Sequence, residues 1–176
     1  MSEPTASGRL FGAEVLRDPL VLRLLDARLV CVLATLDSQH AIHAVPMWFA
    51  AEEDSIVLAT GERSRKARNV ERDSRATFVV HDSRPGFEVC GAAISGTISV
   101  VRGGGAAALI ERVHRRYVSE RAETNQVVRT FLASDDVALR LQPESAWTWD
   151  ERSSEANGVL RTLGGAFPLV STEPRA

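Results

Sequence analysis

The sequence predicts a mainly β fold with peripheral helices, an α+β arrangement in which six to seven strands form a split antiparallel β-barrel. Three observations lead to this prediction. Apolar runs of strand length recur along the chain, most connections between them are only a few residues long, and few helical segments interrupt them. Strands joined by such short connections pair antiparallel, because a parallel pair needs a long crossover connection.

Composition narrows the class of protein. With 176 residues, 44 % of them hydrophobic and 25 % charged, the chain has the make-up of one globular domain. A net charge of −2 argues against a general binder of nucleic acid or anionic membranes. No stretch resembles a membrane span or a signal peptide, so we expect a cytoplasmic protein. Cys31 and Cys90 lie far apart in apolar surroundings and are expected to be buried free thiols.

The first half of the chain is predicted to contain one helix and a meander of three strands. Residues 1–12 are small and polar and are expected to be flexible. Apolar spacing over residues 13–28 predicts a helix, interrupted or restarted at Asp18-Pro19, that covers the sheet. Pro46 lacks an N–H and is expected at a sheet edge or bulge; a ligand facing that backbone is the alternative. The strands are predicted at residues 29–36, 41–51 and 55–60.

The second half of the chain is predicted to contain the remaining strands and the helix with the clearest apolar face. Residues 75–82 alternate as a strand does, a turn follows at 83–86, and residues 87–101 form a long strand. Gly91 and Gly96 in that strand mark bulges or close approaches. The helix spans 106–121, with Leu109, Ile110, Val113 and Tyr117 on one face, and a shorter helical piece includes residues 127–132. The last strands are predicted at 137–143 and 145–150, which completes a single domain over 13–150, and residues 151–176 form a tail that packs on a partner subunit or is mobile.

The stretch from Thr60 to Asp73 carries the strongest functional signal. Ser64 is placed to cap a short helix, on which Ala67 and Val70 face inward. Cations at a helix N-terminus cost an isolated helix roughly 0.3–1 kcal/mol each, so their presence predicts a bound anion. A phosphate held by backbone N–H groups, the Ser64 hydroxyl and nearby side chains would reverse that cost. Spacing alone leaves open a solvated face of Arg65, Arg68 and Arg72. The cations that crowd the helix start are Arg63, Arg65, Lys66 and Arg68.

Taken in order, several short segments resemble the flavin-binding split β-barrel superfamily, which includes pyridoxamine 5′-phosphate oxidase and the flavin and deazaflavin oxidoreductases. The resemblance spans roughly residues 29–150. It implies a homodimer with two flavin sites at the subunit interface. The segments are Ala44–Phe49, Ala59-Thr60 with Ser64-Arg65-Lys66 and Arg68-Asn69-Val70, Ile94-Ser95-Gly96, and Leu141-Gln142-Pro143 with Trp147-Thr148-Trp149.

The resemblance also implies particular site residues. Arg65 and Lys66 match the phosphate-binding pair, Ala59 and Thr60 match contacts to the phosphate and ribityl chain, and the segment 45–48 matches backbone contacts to the ring. Ala44 stands where true pyridoxamine phosphate oxidases have a basic residue, and their arginine-rich substrate motif is missing, so oxidation of vitamin B6 is not expected. The predicted cofactor-binding residues are Val45, Pro46, Met47, Trp48, Ala59, Thr60, Ser64, Arg65, Lys66 and Asn69.

The function implied is an oxidoreductase that passes hydride equivalents between a bound flavin-type cofactor and a small unsaturated substrate. The cofactor is FMN or the 5-deazaflavin coenzyme, with FMN preferred. Because the cofactor carries the redox chemistry, no catalytic side chain and no metal ligand are predicted. Trp48, with Trp147 or Trp149, is a candidate wall of the substrate pocket.

Two alternatives stay open at this point. One is a non-catalytic flavin- or haem-binding protein on the same barrel, and the other is a dimeric binding module without a cofactor. The histidines, His40, His43, His81 and His114, are scattered and are expected on the surface or on strand faces. His43 lies closest to the ring segment and is the one to test.

Overall fold

The computed structural model describes residues 8–83, 89–132, 136–153, 158, 159 and 162. The strands are β1 (Gly8–Phe11), β2 (Cys31–Leu36), β3 (Ile42–Met47), β4 (Phe49–Ala51), β5 (Ile56–Gly61), β6 (Arg75–Ser83), β7 (Val89–Val101) and β8 (Asp136–Asp150). A 3₁₀ helix at Gly12–Arg17 precedes α1 (Pro19–Asp26), α2 (Arg65–Arg72), α3 (Gly104–Tyr117), α4 (Glu120–Glu123) and α5 (Gln126–Leu132). No helix in these ranges has the length and apolar character needed to cross a membrane.

The strands form one antiparallel sheet that curves into an open half-barrel. Their order is β3-β2-β6-β7-β8-β5-β4, and β1 pairs with the second half of β8. The two ends of this order, β3 and β4, are separated in the chain by Trp48 alone. The sheet must therefore curve until its two edges approach each other at Trp48. The predicted fold class, a split antiparallel β-barrel with peripheral helices, is confirmed.

The predicted strand over residues 41–51 is wrong, and so is the meander that it implied. The chain breaks at Trp48, so that β3 pairs with β2 at one edge while β4 pairs with β5 at the other. The alternation of side chains continues through the break, because Met47 and Phe49 are both buried. Nothing in the local pattern therefore signals the change of partner strand. Pro46 does lie on an edge strand, as predicted.

Two further boundaries differ from prediction. Residues 8–11, expected to be flexible, form β1, in which Gly8 lies opposite Thr148; residues 1–7 lie outside the described part. The two strands predicted at 137–143 and 145–150 are one strand, β8, because a bulge beside Gly96 accommodates Glu144. Pro143 then lies opposite Gly96, where an added Cβ would lie 2.0 Å from the Gln142 carbonyl oxygen. This is the close approach that the glycine predicted.

Several local predictions agree with the structure. The first helical region restarts at Asp18, whose side chain accepts hydrogen bonds from the N–H groups of Leu20 and Val21 at 2.9 and 3.0 Å. The long helix is α3, which ends at Tyr117 and not at residue 121. Cys31 and Cys90 are buried free thiols. Of the turn predicted at 83–86, Ser83 is the last residue of β6, and residues 84–86 lie outside the described residues, as do Phe87 and most of the predicted tail.

Two apolar clusters lie on opposite faces of the sheet. The larger fills the half-barrel beneath α1 and α2 and includes Leu33, Phe49 and Phe78. The smaller lies between α3 and the outer face of β4, β5 and β8, where Val113 packs among Val57 and Ala138. The two faces of β5 are thus both covered, which explains its unbroken apolar run. This packing carries the residue after Val113, His114, to the end of β5.

Candidate functional site

A cavity of about 540 Å³ opens where the end of β5, the start of α2, the Trp48 junction and α3 meet. Its size lies within the range of small-molecule sites in proteins. One side of the wall is apolar and the other carries polar and charged groups. The lining residues are Val30, Pro46, Met47, Trp48, Ala59, Thr60, Gly61, Lys66, Val113, His114 and Asp136.

The polar side of the cavity is organised by the N-terminus of α2. Ser64 caps the helix, as predicted, because its Oγ accepts from the N–H of Ala67 at 3.2 Å. The hydroxyl of Thr60 donates to the same Oγ at 3.1 Å, which links the end of β5 to the helix start. The N–H groups of Arg65 and Lys66, in the first turn, have no partner within the helix. These N–H groups can donate to an anion at the N-terminus of α2, where the partial positive charge of the helix favours it.

Lys66 is the cation that the helix presents to the cavity. It is the chain's single lysine, and its side chain is half-buried. Burial lowers the pKa of the Lys66 ammonium, and the carboxylate of Asp136 opposes that shift. A partly desolvated ammonium is a stronger electrostatic partner for an anion than one in open water.

Arg65 does not lie with Lys66. Its guanidinium is exposed and forms an ion pair with Asp37, at 2.6 Å, in the turn between β2 and β3. The backbone N–H groups of Gln39 and Ala41 hold the pKa of Asp37 below its usual range, and Arg65 adds to this effect. The crowding of cations predicted a bound anion. For Arg65 that anion is a carboxylate of the protein itself, the side chain of Asp37. Arg68 is exposed as well, and neither arginine lines the cavity.

The apolar side contains three of the four residues predicted to contact a ring. Pro46, Met47 and Trp48 line the cavity, whereas Val45 packs against the larger core cluster. The ring of Trp48 is stacked on that of Tyr117, with centroids 5.0 Å apart. The cavity wall here is thus fixed by packing on α3.

Other predicted candidates lie elsewhere. Asn69 is buried, donates to the Thr35 hydroxyl at 3.0 Å and does not line the cavity. Trp147 is 54 % exposed on the sheet, and Trp149 packs over Gly91, where an added Cβ would lie 2.3 Å from its ring. His43 faces Thr35 across the β2–β3 pair and does not line the cavity. Of the predicted residues, the structure brings together Pro46, Met47, Trp48, Ala59, Thr60 and Lys66, with Ser64 as the cap beside them.

Two residues of the site were missed by sequence reasoning. His114, expected on the surface or a strand face, is 7 % exposed on α3, and its Nε2 lies 3.7 Å from Oδ2 of Asp136. Asp136 begins β8, opposite Gly61 at the end of β5. A signal for His114 was present, because it follows Ile110 of the predicted inner face by four residues. Asp136 had none, since only the pairing of β5 with β8 carries it to the cavity.

These groups suit a ligand that is anionic at one end and flat and apolar at the other. The ammonium of Lys66, the hydroxyl of Thr60 and the free N–H groups of α2 are donors for an anion. Pro46 and Met47 add apolar surface without strong donors to the same cavity. Among the described residues, no group of histidine, cysteine and carboxylate side chains is arranged to hold a metal ion.

Comparison with solved structures places the fold among proteins of several kinds. The conserved hypothetical protein Rv2991 from Mycobacterium tuberculosis is 22 % identical, with 88 % of this chain and 90 % of that chain covered and a TM-score of 0.63. An F420 reductase is 18 % identical over 70 % of this chain and 93 % of its own, with a TM-score of 0.54. HutZ, the haem storage protein from Vibrio cholerae, is 19 % identical over 72 % and 89 %, with a TM-score of 0.58. At these identities the likeness shows the fold.

A comparison with curated proteins finds no match for this chain. A family model does match, over residues 18–150, which include every strand from β2 to β8 and the whole cavity wall. The matched range also contains the segments on which the resemblance was based, and that resemblance is confirmed. The chain therefore belongs to the pyridoxamine 5′-phosphate oxidase family.

Proposed function

We propose that the chain binds a flavin-type cofactor in this cavity and passes hydride equivalents between it and a small unsaturated substrate. The observation that carries the proposal is the half-buried ammonium of Lys66 beside Thr60 and the N-terminus of α2, in a cavity that Pro46, Met47 and Trp48 also line. Membership of the family supports it, and so does the similarity in fold to an F420 reductase. The cofactor, FMN or the 5-deazaflavin coenzyme, supplies the redox chemistry when it is bound.

The residues of the cavity fit such a cofactor. Lys66, the Thr60 hydroxyl and the N–H groups at the start of α2 would hold the phosphate. Pro46, Met47 and Trp48 would lie beside the ring and exclude water from it. One group opposes the phosphate, the carboxylate of Asp136 in the same wall.

The assembly that we propose is a homodimer in which the outer face of the sheet is the interface. An apolar row crosses this face on paired strands, so that its side chains lie on one side of the sheet. It runs through Pro46, Val32, Val79, Ala93 and Trp147. Pro46 belongs to both the row and the cavity wall, so a second copy on the row would lie beside the cofactor.

Haem binding is the second candidate function. The observation that favours it is the imidazole of His114 in the cavity wall, since histidine is the usual protein ligand of haem iron. HutZ, which shares the fold, is a haem storage protein. Titration with haemin separates the candidates, because ligation by His114 would give a sharp Soret band that is lost in the variant His114→Gln.

The test of the proposed function begins with the absorption spectrum and mass of any small molecule that co-purifies, followed by titration with FMN and with the deazaflavin. Lys66→Met should weaken binding about tenfold or more, since a charge-assisted hydrogen bond contributes about 1.5–3 kcal/mol. Arg68→Ala, an exposed cation of the same helix, is the matched control and should bind as the wild type does.

A second measurement locates the ligand. Because Lys66 is the single lysine, acylation of amines followed by peptide mass spectrometry reports on that side chain. Bound FMN should slow its modification. Failure of both cofactors to bind, or binding with unchanged affinity in Lys66→Met, would overturn the proposal.

A further inference from the structure

Lys66 gives the cavity a chemical group that no other side chain of this protein has. It is the chain's single lysine, so its amine is the sole primary amine among the side chains. It lines the cavity at the start of α2, where its side chain is half-buried. A deprotonated amine adds to the carbon of a carbonyl group, whereas arginine stays protonated and does not. The cavity thus holds the one side chain that can form an imine with an aldehyde.

The electrostatic surroundings of the Lys66 amine favour this reaction in two ways. Burial lowers the pKa of Lys66, so a larger fraction of it is free amine near neutral pH than in an exposed lysine. The carboxylate of Asp136 attracts positive charge at the lysine nitrogen. A protonated imine carries its charge at that same nitrogen, so the carboxylate stabilises the product of the reaction as well.

The rest of the cavity wall suits a planar group attached to the carbonyl carbon. Pro46, Met47 and Trp48 line the same cavity as the amine. The ring of Trp48 is held in place by its stack on Tyr117, with centroids 5.0 Å apart. A volume of about 540 Å³ accommodates a molecule larger than a single aromatic ring. Contact with these apolar side chains removes an aromatic ring from water, which is favourable.

We propose that Lys66 is a modification site, at which the cavity binds an aromatic aldehyde reversibly as an imine. This inference goes beyond the proposed function, because it requires the amine and the cavity and no cofactor. The imine occupies the same nitrogen that the proposed function assigns to the phosphate. A bound aldehyde and the cofactor therefore exclude each other.

The reaction is a condensation in which nothing is oxidised or reduced. The ammonium of Lys66 releases a proton to water, and its nitrogen forms a bond to the carbonyl carbon while the π electrons of the C=O bond move to the oxygen. A proton passes from nitrogen to oxygen through solvent and gives a carbinolamine. The oxygen then takes up the proton first released, the C–O bond breaks, water leaves, and the nitrogen lone pair forms the C=N bond. One ammonium and one aldehyde thus give one protonated imine and one water.

The test uses the full chain, dialysed free of small molecules, with salicylaldehyde as the probe, because its imine absorbs at a longer wavelength than the free aldehyde. Titration at neutral pH gives the dissociation constant of the imine, and Nα-acetyl-lysine gives the value for an amine in open water. Wild-type protein should bind about tenfold or more tightly than this model amine, since its cavity also contacts the ring. Reduction of the imine with cyanoborohydride, followed by peptide mass spectrometry, should place the salicyl group on Lys66.

A matched variant separates the effect of the cavity from that of lysine in general. Lys66→Met combined with Arg68→Lys moves the single lysine from the cavity wall to an exposed position on the same helix. The variant also keeps the α-amino group of the chain, which is the other primary amine. It should bind salicylaldehyde no more tightly than Nα-acetyl-lysine does. Propanal, an aldehyde without a ring, should show a smaller advantage of wild type over the model amine. The wild-type measurements need no variant to fold.

Three results would overturn the proposal. They are a salicyl group found on the α-amino group and not on Lys66, a wild-type dissociation constant equal to that of Nα-acetyl-lysine, and equal binding by wild type and the double variant. An advantage over the model amine that is as large with propanal as with salicylaldehyde would overturn the choice of aromatic aldehydes. Because no cofactor is added, none of these results depends on whether FMN or the deazaflavin binds, and the proposed function stands or falls separately.

Discussion

The ring of Trp48 lies flat on that of Tyr117, with centroids 5.0 Å apart and planes inclined by 5°. This stack connects Trp48, the point at which the barrel is split, with helix α3. The hydroxyl of Tyr117 continues the link, since it donates to the Leu29 carbonyl at 2.6 Å and accepts from the N–H of Phe49 at 3.4 Å. One helix residue thus ties the chain before β2 to the chain after the split, and holds the apolar wall of the cavity in place.

Replacing Trp48 by alanine should destabilise the protein by about 2 kcal/mol. Truncating a fully buried Trp typically costs about 3–5 kcal/mol, and the half-buried position of Trp48 reduces that cost. Trp48→Phe, which keeps a stacked ring, should lose less than half as much. The free energy of unfolding from denaturant titration measures both. Unchanged stability with an altered range of substrates would show instead that Trp48 serves the pocket alone.

Arg65→Ala should leave the affinity for FMN nearly unchanged, in contrast to Lys66→Met. The guanidinium of Arg65 is exposed and bound to Asp37, so a ligand in the cavity does not lose a contact when it is removed. Titration of both single variants under one set of conditions is the measurement. An equal loss in the two variants would mean that Arg65 leaves Asp37 and turns to the phosphate when the cofactor binds.

The thiol of Cys31 should be inert in the folded protein. Burial raises the pKa of Cys31 to about 12, and its Sγ donates to the Met47 carbonyl at 3.4 Å. At pH 8 a disulfide reagent such as DTNB should react slowly with native protein, and with two thiols after unfolding in guanidinium. Rapid reaction of the native protein at Cys31 would contradict the burial.

The same shift predicts how stability depends on alkaline pH. An unfolded thiol ionises near pH 8.5, whereas the folded thiol holds its proton to about pH 12. The stability that the neutral thiol contributes is therefore complete below pH 8.5 and declines as the pH rises toward 12. The free energy of unfolding should fall between pH 8.5 and 10. In Cys31→Ala the fall should be shallower, and an identical slope in the two proteins would rule out this contribution.

Local features of this protein follow from its sequence, whereas long-range ones do not. Ser64 as the cap of α2, the restart of the first helix at Asp18 and the glycine at the β7 bulge are decided by neighbouring residues, so the pattern contains them. The switch of sheet edge at Trp48 leaves alternation unchanged and so leaves no local trace. For the same reason the sequence does not reveal the ion pair of Arg65, whose partner Asp37 lies 28 residues away.

The same distinction between local and long-range features applies to the residues of the site. Residues 46–48, 59–60 and 66 reach the cavity on segments whose type is locally determined, and a family pattern identifies them. Asp136 reaches it only because β8 pairs with β5, and His114 only because α3 packs across that pair. The carboxylate that acts on the charge of Lys66 is therefore identified only from the folded chain.

The proposed dimer predicts that a charge in the middle of the apolar row will dissociate it. Val32 lies between Pro46 and Val79 in that row and is 36 % exposed. An isolated subunit should therefore tolerate arginine at this position. In the dimer the same arginine would be buried without a partner, which is unfavourable. Light scattering coupled to gel filtration should find wild type as a dimer and Val32→Arg as a monomer. Leu22→Arg, at a 48 % exposed apolar position on α1, is the matched control and should stay dimeric. Because Pro46 joins the row to the cavity, the monomeric variant should also bind FMN more weakly. A wild-type protein that is monomeric, or a Val32→Arg variant that stays dimeric, would show that this row is not the interface.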